Sequence, residues 1–201
     1  MSYINNFEQI AKLLSFDDSD TFYHLQIIKR KKENPELGSN SYIVKTYYIS
    51  SEDYLSSKMT EIISLCDFHN ARAYINLNPR SFEKMAFHAL KKITDIILNK
   101  DYKSARKAYE SVCGQYSSGK EKSWIIDLDG VFEASPLMMA HIDYGCDPIS
   151  ESTSEGKCLA VIRTKNGIHL ITKPFNVKKF QDKYPDIDIH KNNPTILYTK
   201  I

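Results

Sequence analysis

Two carboxylates near the middle of the chain have a spacing that suits metal-assisted chemistry. Asp127 and Asp129 belong to the apolar run 124–129, WIIDLD, which predicts a strand. Because alternate side chains of a strand share a face, Ile126 and Leu128 would point to the core and both aspartates to the other side. Such positions are about 7 Å apart, which suits two cations about 4 Å apart in a phosphoryl-transfer site. Oxygen ligands predict Mg²⁺ or Mn²⁺.

A group of residues suited to binding phosphate follows in a predicted hairpin. The β-rich runs 158–164 and 168–173 are joined by Lys-Asn-Gly, and Asn-Gly is a strong turn signal between strands. A hairpin tip combines exposed amides with cations, which together bind phosphate groups. The residues predicted to do so are Arg163, Thr164, Lys165, Asn166 and His169.

A third acidic position lies in a short apolar run further along the chain. Asp186, Asp188 and His190 alternate with two isoleucines, so their side chains share one face of a predicted strand. Asp188 has Ile on both sides, whereas Asp186 directly follows Pro185. Because a residue held within a strand is positioned more rigidly than one at its end, we predict Asp188 as the third carboxylate. In the alternative, Asp188 only pairs with a Lys across the sheet.

The order of these motifs resembles that of the archaeo-eukaryotic primase superfamily, the primase-polymerases. That family has an apolar strand with Asp-x-Asp or Asp-x-Glu, then a small-polar-x-His motif, then an apolar residue followed by Asp. Here 40 residues separate Asp129 from His169, and 19 separate His169 from Asp188. The resemblance covers roughly residues 71–201. The family often has Ser two residues before the His, where this chain has Gly167.

The resemblance implies a fold and a set of catalytic roles. The fold would be α+β, an RNA-recognition-like primase-polymerase core with a mixed or antiparallel sheet and flanking helices. Asp127, Asp129 and Asp188 would be catalytic and would bind Mg²⁺ or Mn²⁺. His169 would also be catalytic and would hold the phosphates of the incoming nucleotide.

The resemblance also implies an activity and its partners. The chain would be a template-directed nucleotidyltransferase of DNA replication that uses nucleoside triphosphates and a single-stranded DNA template, alongside a separate replicative helicase. Thr164 or Lys165 would replace the phosphate donor that Gly167 lacks. Arg72 and Arg80 flank a predicted strand and a helix start, where they would either reach the triphosphate or pair with surface acids.

Two other functions fit parts of the same pattern. The run 126–130, IDLDG, also resembles the opening motif of haloacid-dehalogenase-type phosphatases, in which the first Asp is the nucleophile. Those enzymes place the motif near the start of a parallel sheet and need later βα units, whereas only 72 residues follow Asp129 here. The other alternative is a non-catalytic module that keeps the fold and binds single-stranded nucleic acid.

Length and composition predict one folded domain. The chain has 201 residues, of which 42% are hydrophobic and 26% charged, as in ordinary globular proteins. We expect a single domain, residues 1–201, with an N-terminal lobe 1–115 and a C-terminal catalytic lobe 116–201. The net charge of +2 is too small to indicate an acidic partner.

The predicted elements include one hairpin and one long amphipathic helix. Strands at about 22–31 and 42–49 flank a loop with Pro and Gly, which predicts the hairpin. The helix is predicted to begin at Pro79, with Asn78 as its cap. Its apolar residues would lie on one buried stripe, formed by Phe82, Met85, Ala86, Ala89, Leu90, Ile93 and Ile97.

The sequence also bears on location. Its apolar runs are far shorter than the roughly 20 residues that a bilayer span needs, and residues 1–8 do not resemble a signal peptide. We therefore expect a cytoplasmic protein without a membrane partner, whose four scattered cysteines are reduced thiols. A zinc site formed by His141, Cys146 and Cys158 is a remote alternative.

Overall fold

The computed structural model describes residues 2–38, 40–117, 119, 121–147 and 156–201. Its elements form two antiparallel sheets with flanking helices, which confirms the α+β class. The strands are β1 (Tyr3–Asn5), β2 (Thr21–Lys29), β3 (Tyr42–Ile49), β4 (Arg72–Ile75), β5 (Arg80–Ser81), β6 (Trp124–Asp129), β7 (Cys158–Arg163), β8 (Gly167–Thr172), β9 (Asp188–His190) and β10 (Thr195–Lys200). The helices are α1 (Phe7–Ala11), α2 (Glu52–His69), α3 (Phe82–Leu98), α4 (Ala108–Gln115), α5 (Pro136–Ala140) and α6 (Val177–Lys183).

The first sheet contains strands from both predicted lobes. Its order is β1-β10-β4-β2-β3, with every pair antiparallel and β5 added beside β2. The predicted hairpin of β2 and β3 is confirmed. Strand β10 lies between β1 and β4, so the chain returns to the first sheet after completing the second. The division into lobes 1–115 and 116–201 therefore does not coincide with the two sheets.

The second sheet has the order β7-β8-β6-β9 and is also antiparallel throughout. Apolar residues cover both of its faces. One face, which includes Ile126 and Leu128, packs with Met138 and Phe180 from the helices α5 and α6. On the other face, Ile125 and Ile171 join the core of the first sheet. The face that carries the aspartates is thus turned toward the first sheet at its Ile125 end.

Helix α3 begins three residues later than the sequence predicts. Asn78 does not cap it, because its side-chain amide donates to the carbonyls of Ser123 and Lys191 and its Oδ1 accepts from the Ser123 amide. The cap is Ser81, whose hydroxyl accepts from the Lys84 amide at 3.0 Å. The intervening residues Arg80 and Ser81 instead form the short strand β5, which pairs with β2.

The buried stripe of α3 also differs from the predicted one. Met85, Ala89 and Ile96 are buried, whereas Leu90 and Ile97 are 62% and 52% exposed. Each residue advances about 100° around a helix, so a side chain next in sequence to a buried one points well away from it. The helix packs mainly on α4, which covers only the narrow stripe through Met85 and Ala89.

None of the helices in the described parts of the chain combines the length and apolar character needed to cross a bilayer.

Candidate active site

The predicted site residues meet at the centre of the second sheet. Asp127 lies on β6, which has β8 on one side and β9 on the other. In the register of these strands, Asp127 is directly opposite His169 on β8 and directly opposite Asp188 on β9. Directly opposite residues of an antiparallel pair share a face, with their Cβ atoms about 5 Å apart. Asp129 lies two residues further along β6, on the same face.

Asp127 is placed between two histidines. His169 Nε2 is 3.6 Å from Asp127 Oδ1, and His190 Nε2 is 3.9 Å from Asp127 Oδ2. Both distances exceed those of hydrogen bonds, so the carboxylate is flanked by imidazoles without being tied to either. About a third of the Asp127 side chain is exposed, and Asp129 and Asp188 are exposed. The carboxylates can therefore be reached from solvent.

His190 and Thr195 belong to this site although the sequence did not predict them as site residues. The alternation of β9 puts His190 on the same face as Asp188, which was the available signal. Thr195 comes from β10 of the first sheet, and its Oγ1 is 2.8 Å from His169 Nδ1. No local pattern connects Thr195 to a histidine 26 residues earlier. This contact joins the two sheets at the site.

The state of His169 follows from its burial. Burial lowers the pKa of His169, and nearby His190 lowers it further, while Asp127 and Asp129 oppose the shift. The net shift is downward, so the imidazole is neutral at neutral pH. When Nδ1 accepts a hydrogen bond from the Thr195 hydroxyl, the ring proton is on Nε2, which lies on the Asp127 side of the ring.

Gly167 is required by the close approach of β8 and β6. A Cβ atom at this position would lie 2.1 Å from the Leu128 carbonyl oxygen and 3.0 Å from that of Val131. These neighbours are backbone atoms, which cannot move aside as a flexible side chain would. The strands therefore leave no space for the serine that primase-polymerases often have at this place.

The predicted hairpin of β7 and β8 is confirmed, but its tip residues point in different directions. Arg163 pairs with Ile168, on the face opposite His169, and its guanidinium lies 4.6 Å from the ring centre of Phe132. Thr164 is buried, and its backbone amide closes the turn onto Gly167. Asn166 is exposed, and its carbonyl accepts from the Gly130 amide at 2.8 Å. Arg163 is thus not brought to the carboxylate face.

Lys165 and Arg72 are joined through one acid, Glu33. Arg72 Nε donates to Glu33 Oε2 at 2.9 Å, a second guanidinium nitrogen pairs with Oε1, and Lys165 Nζ lies 3.1 Å from the same Oε1. Arg72 is buried, so this pair compensates a charge that lies out of water. Glu33 thereby ties the tip of the β7–β8 hairpin to the first sheet. Arg72 fulfils the second of its two predicted roles, pairing with an acid.

We expect the Glu33 carboxylate to stabilise the fold in a pH-dependent way. Burial raises the pKa of Glu33, but hydrogen bonds and charge from Arg72 and Lys165 outweigh it, so the pKa is lower than the ordinary 4.5. A depressed pKa contributes stability that is present above the ordinary value and is lost as pH falls through the lowered one. Glu33→Gln should lower the free energy of unfolding by about 1–2 kcal/mol at pH 7.

Urea unfolding at pH 7 and at pH 3 measures this effect. The difference between wild type and Glu33→Gln should shrink at pH 3, because the wild-type carboxyl is then losing its charge. Glu36→Gln is the matched control, since Glu36 pairs with Lys29 in a more exposed position and should matter less. Equal losses in the two variants at pH 7 would contradict the structural role of Glu33.

Arg80 lies elsewhere and is almost completely buried, with 1% of its surface exposed. Its Nε donates to the Cys113 carbonyl at 2.6 Å, and Nη1 donates to the Asn78 carbonyl. It therefore contacts neither the carboxylates nor a surface acid within the described ranges, and it follows neither of its two predicted roles.

The carboxylate face has the chemistry for a hard divalent cation but not a preformed cage. Asp127, Asp129 and Asp188 offer oxygen ligands on the part of one sheet face that is open to solvent, as Mg²⁺ or Mn²⁺ requires. Their side chains are not yet gathered around one point, since no group of three or more His, Cys, Asp or Glu in the described residues is arranged to hold a metal. That finding also covers His141, Cys146 and Cys158, and Cys146 is fully buried in the core.

Comparison with protein-family models, with curated proteins and with solved structures finds no match to this chain. The site must therefore be interpreted from its own geometry.

Proposed function

We propose that the protein is a template-directed nucleotidyltransferase of the primase-polymerase type. One observation carries the proposal. Three motifs that are 40 and 19 residues apart in sequence meet at registered positions on three adjacent strands, with Asp127 between His169 and Asp188. Alternation of polar residues explains why the polar side chains of one strand share a face. It does not explain why the register of three strands brings His169 and Asp188 opposite the same carboxylate.

The site residues divide the work by charge. Asp127, Asp129 and Asp188 concentrate negative charge, and none of the ion pairs seen among the described residues joins them to a Lys or Arg. Such carboxylates attract cations. In the proposed reaction, the primer hydroxyl would be directed toward these carboxylates. Bound divalent metal would lower the pKa of that hydroxyl and stabilise the leaving pyrophosphate. His169, held by Thr195, would donate a hydrogen bond from Nε2–H to a phosphate oxygen of the nucleotide.

The structure disfavours the phosphatase alternative. Haloacid-dehalogenase-type enzymes need the aspartate strand in a parallel sheet, whereas β6 is antiparallel to both β8 and β9.

A single incorporation assay distinguishes the candidate functions. The purified protein is given primed or unprimed single-stranded DNA, labelled ribo- or deoxynucleoside triphosphates, and Mn²⁺ or Mg²⁺. We expect products complementary to the template that disappear with EDTA. Strand binding without incorporation would indicate the non-catalytic module instead. Phosphate release from small phosphoesters without template would indicate a phosphatase.

We expect His169 to act on the nucleotide and not on the template. His169→Ala should raise the nucleotide KM or lower kcat by about tenfold, the value of one hydrogen bond to a charged group. DNA affinity should stay nearly unchanged, because His169 is directly opposite Asp127, where the nucleotide phosphates are proposed to bind. Steady-state incorporation and fluorescence anisotropy with labelled DNA measure the two properties, with His69→Ala as the control. Lost template binding with normal nucleotide affinity would overturn this role.

A further inference from the structure

A polar cavity lies on the other face of the first sheet. His24, Gln26 and Tyr74 line it, and they alternate along β2 and β4 with core residues such as Leu25 and Ile75. Thr195 is directly opposite Ile75 and so belongs to the core face. The cavity and the His169–Thr195 contact are therefore on opposite sides of the sheet. The segment 191–194, which links β9 to β10, closes one wall of the cavity.

Three buried polar atoms around this cavity have no hydrogen-bond partner. They are Arg80 Nη2, His24 Nε2 and Asn192 Oδ1, and all three residues line the cavity wall. Arg80 and His24 are 1% and 5% exposed, so any partner of these atoms must lie inside the cavity. Buried polar groups without partners are rare, because each one carries a desolvation cost. Three at one cavity indicate that something not part of the chain completes the set.

The cavity also carries an uncompensated positive charge. Burial lowers the pKa of Arg80 to about 10, which still leaves the guanidinium charged at neutral pH. Burial, with the nearby charge of Arg80, lowers the pKa of His24 to about 4, so this imidazole is neutral. No acid in the described parts of the chain pairs with Arg80, whose other nitrogens donate only to backbone carbonyls. A buried cation of this kind favours an anionic partner.

The donors and acceptors narrow the class of anion. Arg80 Nη2 can only donate a hydrogen bond. The Asn192 amide nitrogen donates to the Gln115 carbonyl, so the atom of this amide without a partner is Oδ1, which can only accept. The partner must therefore accept from one wall and donate to another. A protonated phosphate does both, whereas sulfate and carboxylate anions only accept at neutral pH.

The volume limits the part of a ligand that can lie inside the cavity. The cavity measures about 160 Å³, which equals about five water molecules of roughly 30 Å³ each. A cavity of about 150 Å³ holds benzene, which has six non-hydrogen atoms. Phosphate has five, so it fits with room for water, whereas a whole nucleotide does not.

We propose that the cavity formed by His24, Arg80 and Asn192 binds a protonated phosphate group, separately from the carboxylate face. The group is either free inorganic phosphate, which keeps at least one proton at neutral pH, or the singly protonated terminal phosphate of a nucleotide whose remainder stays outside. The proposal does not depend on the proposed function, since it rests on a different face of the first sheet and needs no metal.

Calorimetric titration of the full chain with inorganic phosphate in EDTA tests the proposal. EDTA removes any metal-bridged phosphate binding at the aspartates. We expect saturable binding of one phosphate, with sulfate binding about tenfold more weakly for want of one hydrogen bond to Asn192. Deoxyadenosine monophosphate distinguishes the two sources when it is titrated at about pH 6, where roughly half of its phosphate carries a proton. If this nucleotide competes with inorganic phosphate at similar affinity, the ligand is a nucleotide phosphate. If it does not compete, the ligand is free inorganic phosphate.

Variants connect the binding to the cavity. Asn192→Asp adds a negative charge beside the site and should weaken phosphate binding at least about tenfold. Asn40→Asp, the same change at an exposed position in the loop before β3, should leave binding unchanged, as should Asp127→Asn. Arg80→Met should abolish phosphate binding. If the Arg80→Met variant does not fold, the result for Asn192→Asp tests the proposal by itself. Absence of saturable binding to the wild type, or equal binding by Asn192→Asp and Asn40→Asp, would show that the cavity holds only water.

Discussion

Asp127→Asn is expected to reduce template-directed incorporation by roughly a thousandfold, equivalent to about 4 kcal/mol of transition-state stabilisation. Of the three site carboxylates, Asp127 is the one with partners on both neighbouring strands, with His169 and Asp188 directly opposite it. Asn keeps the size of the side chain but removes the charge that attracts a divalent cation. The loss should appear in kcat more than in KM, because a cation held by Asp127 would stabilise charge that develops in the transition state.

The fold should survive this change. The Asp127 side chain is about one-third exposed and lies 3.6 Å and 3.9 Å from its histidine neighbours, so no hydrogen bond is broken. Thermal unfolding of the variant should match that of wild type. Asp182→Asn, at an exposed position on α6, serves as the matched control and should keep full activity. Wild-type incorporation by Asp127→Asn would remove the basis of the proposed function.

The sequence predicted which residues of a strand share a face better than it predicted what packs against that face or which residues pair with it on neighbouring strands. The period of two in residues 124–129 correctly placed Ile126 and Leu128 in a core. It did not reveal that the opposite face is also partly buried, through Ile125, because a sheet covered on both sides leaves no simple alternation. Strand pairing is non-local, so the register that sets Asp188 against Asp127 could only be found in the structure.

Arg72 and Arg80 show the same limit of prediction from sequence. A sequence motif gives no sign of a partner that lies far away in the chain. Glu33, which holds Arg72, is 39 residues distant from it. The cavity around Arg80 is assembled from β2, β4 and the segment after β9. Thr195 contacts His169 only because β10 returns to the first sheet. These contacts depend on chain topology, which local patterns of residue type do not encode.

The choice between Asp186 and Asp188 is the second large effect that we expect. Asp188 is the first residue of β9, at the end of the strand and not within it as the sequence predicted, but its pairing with Asp127 still fixes its position. Asp186 lies in the turn before the strand and is exposed. A carboxylate in register with Asp127 can share a cation with it, whereas one in the preceding turn has no such fixed distance.

Asp188→Asn should therefore reduce incorporation by about a hundredfold, or about 2.7 kcal/mol, and should weaken Mn²⁺ affinity. Asp186→Asn is its matched control, because it makes the same chemical change two residues away and should alter the rate by less than about twofold. Single-turnover incorporation and Mn²⁺ titration followed by electron paramagnetic resonance measure the two effects separately. If Asp188 only paired with a Lys across the sheet, Mn²⁺ affinity would not change in either variant. The reverse order of the two losses would place the third carboxylate in the turn at Asp186, outside the register that joins the three strands.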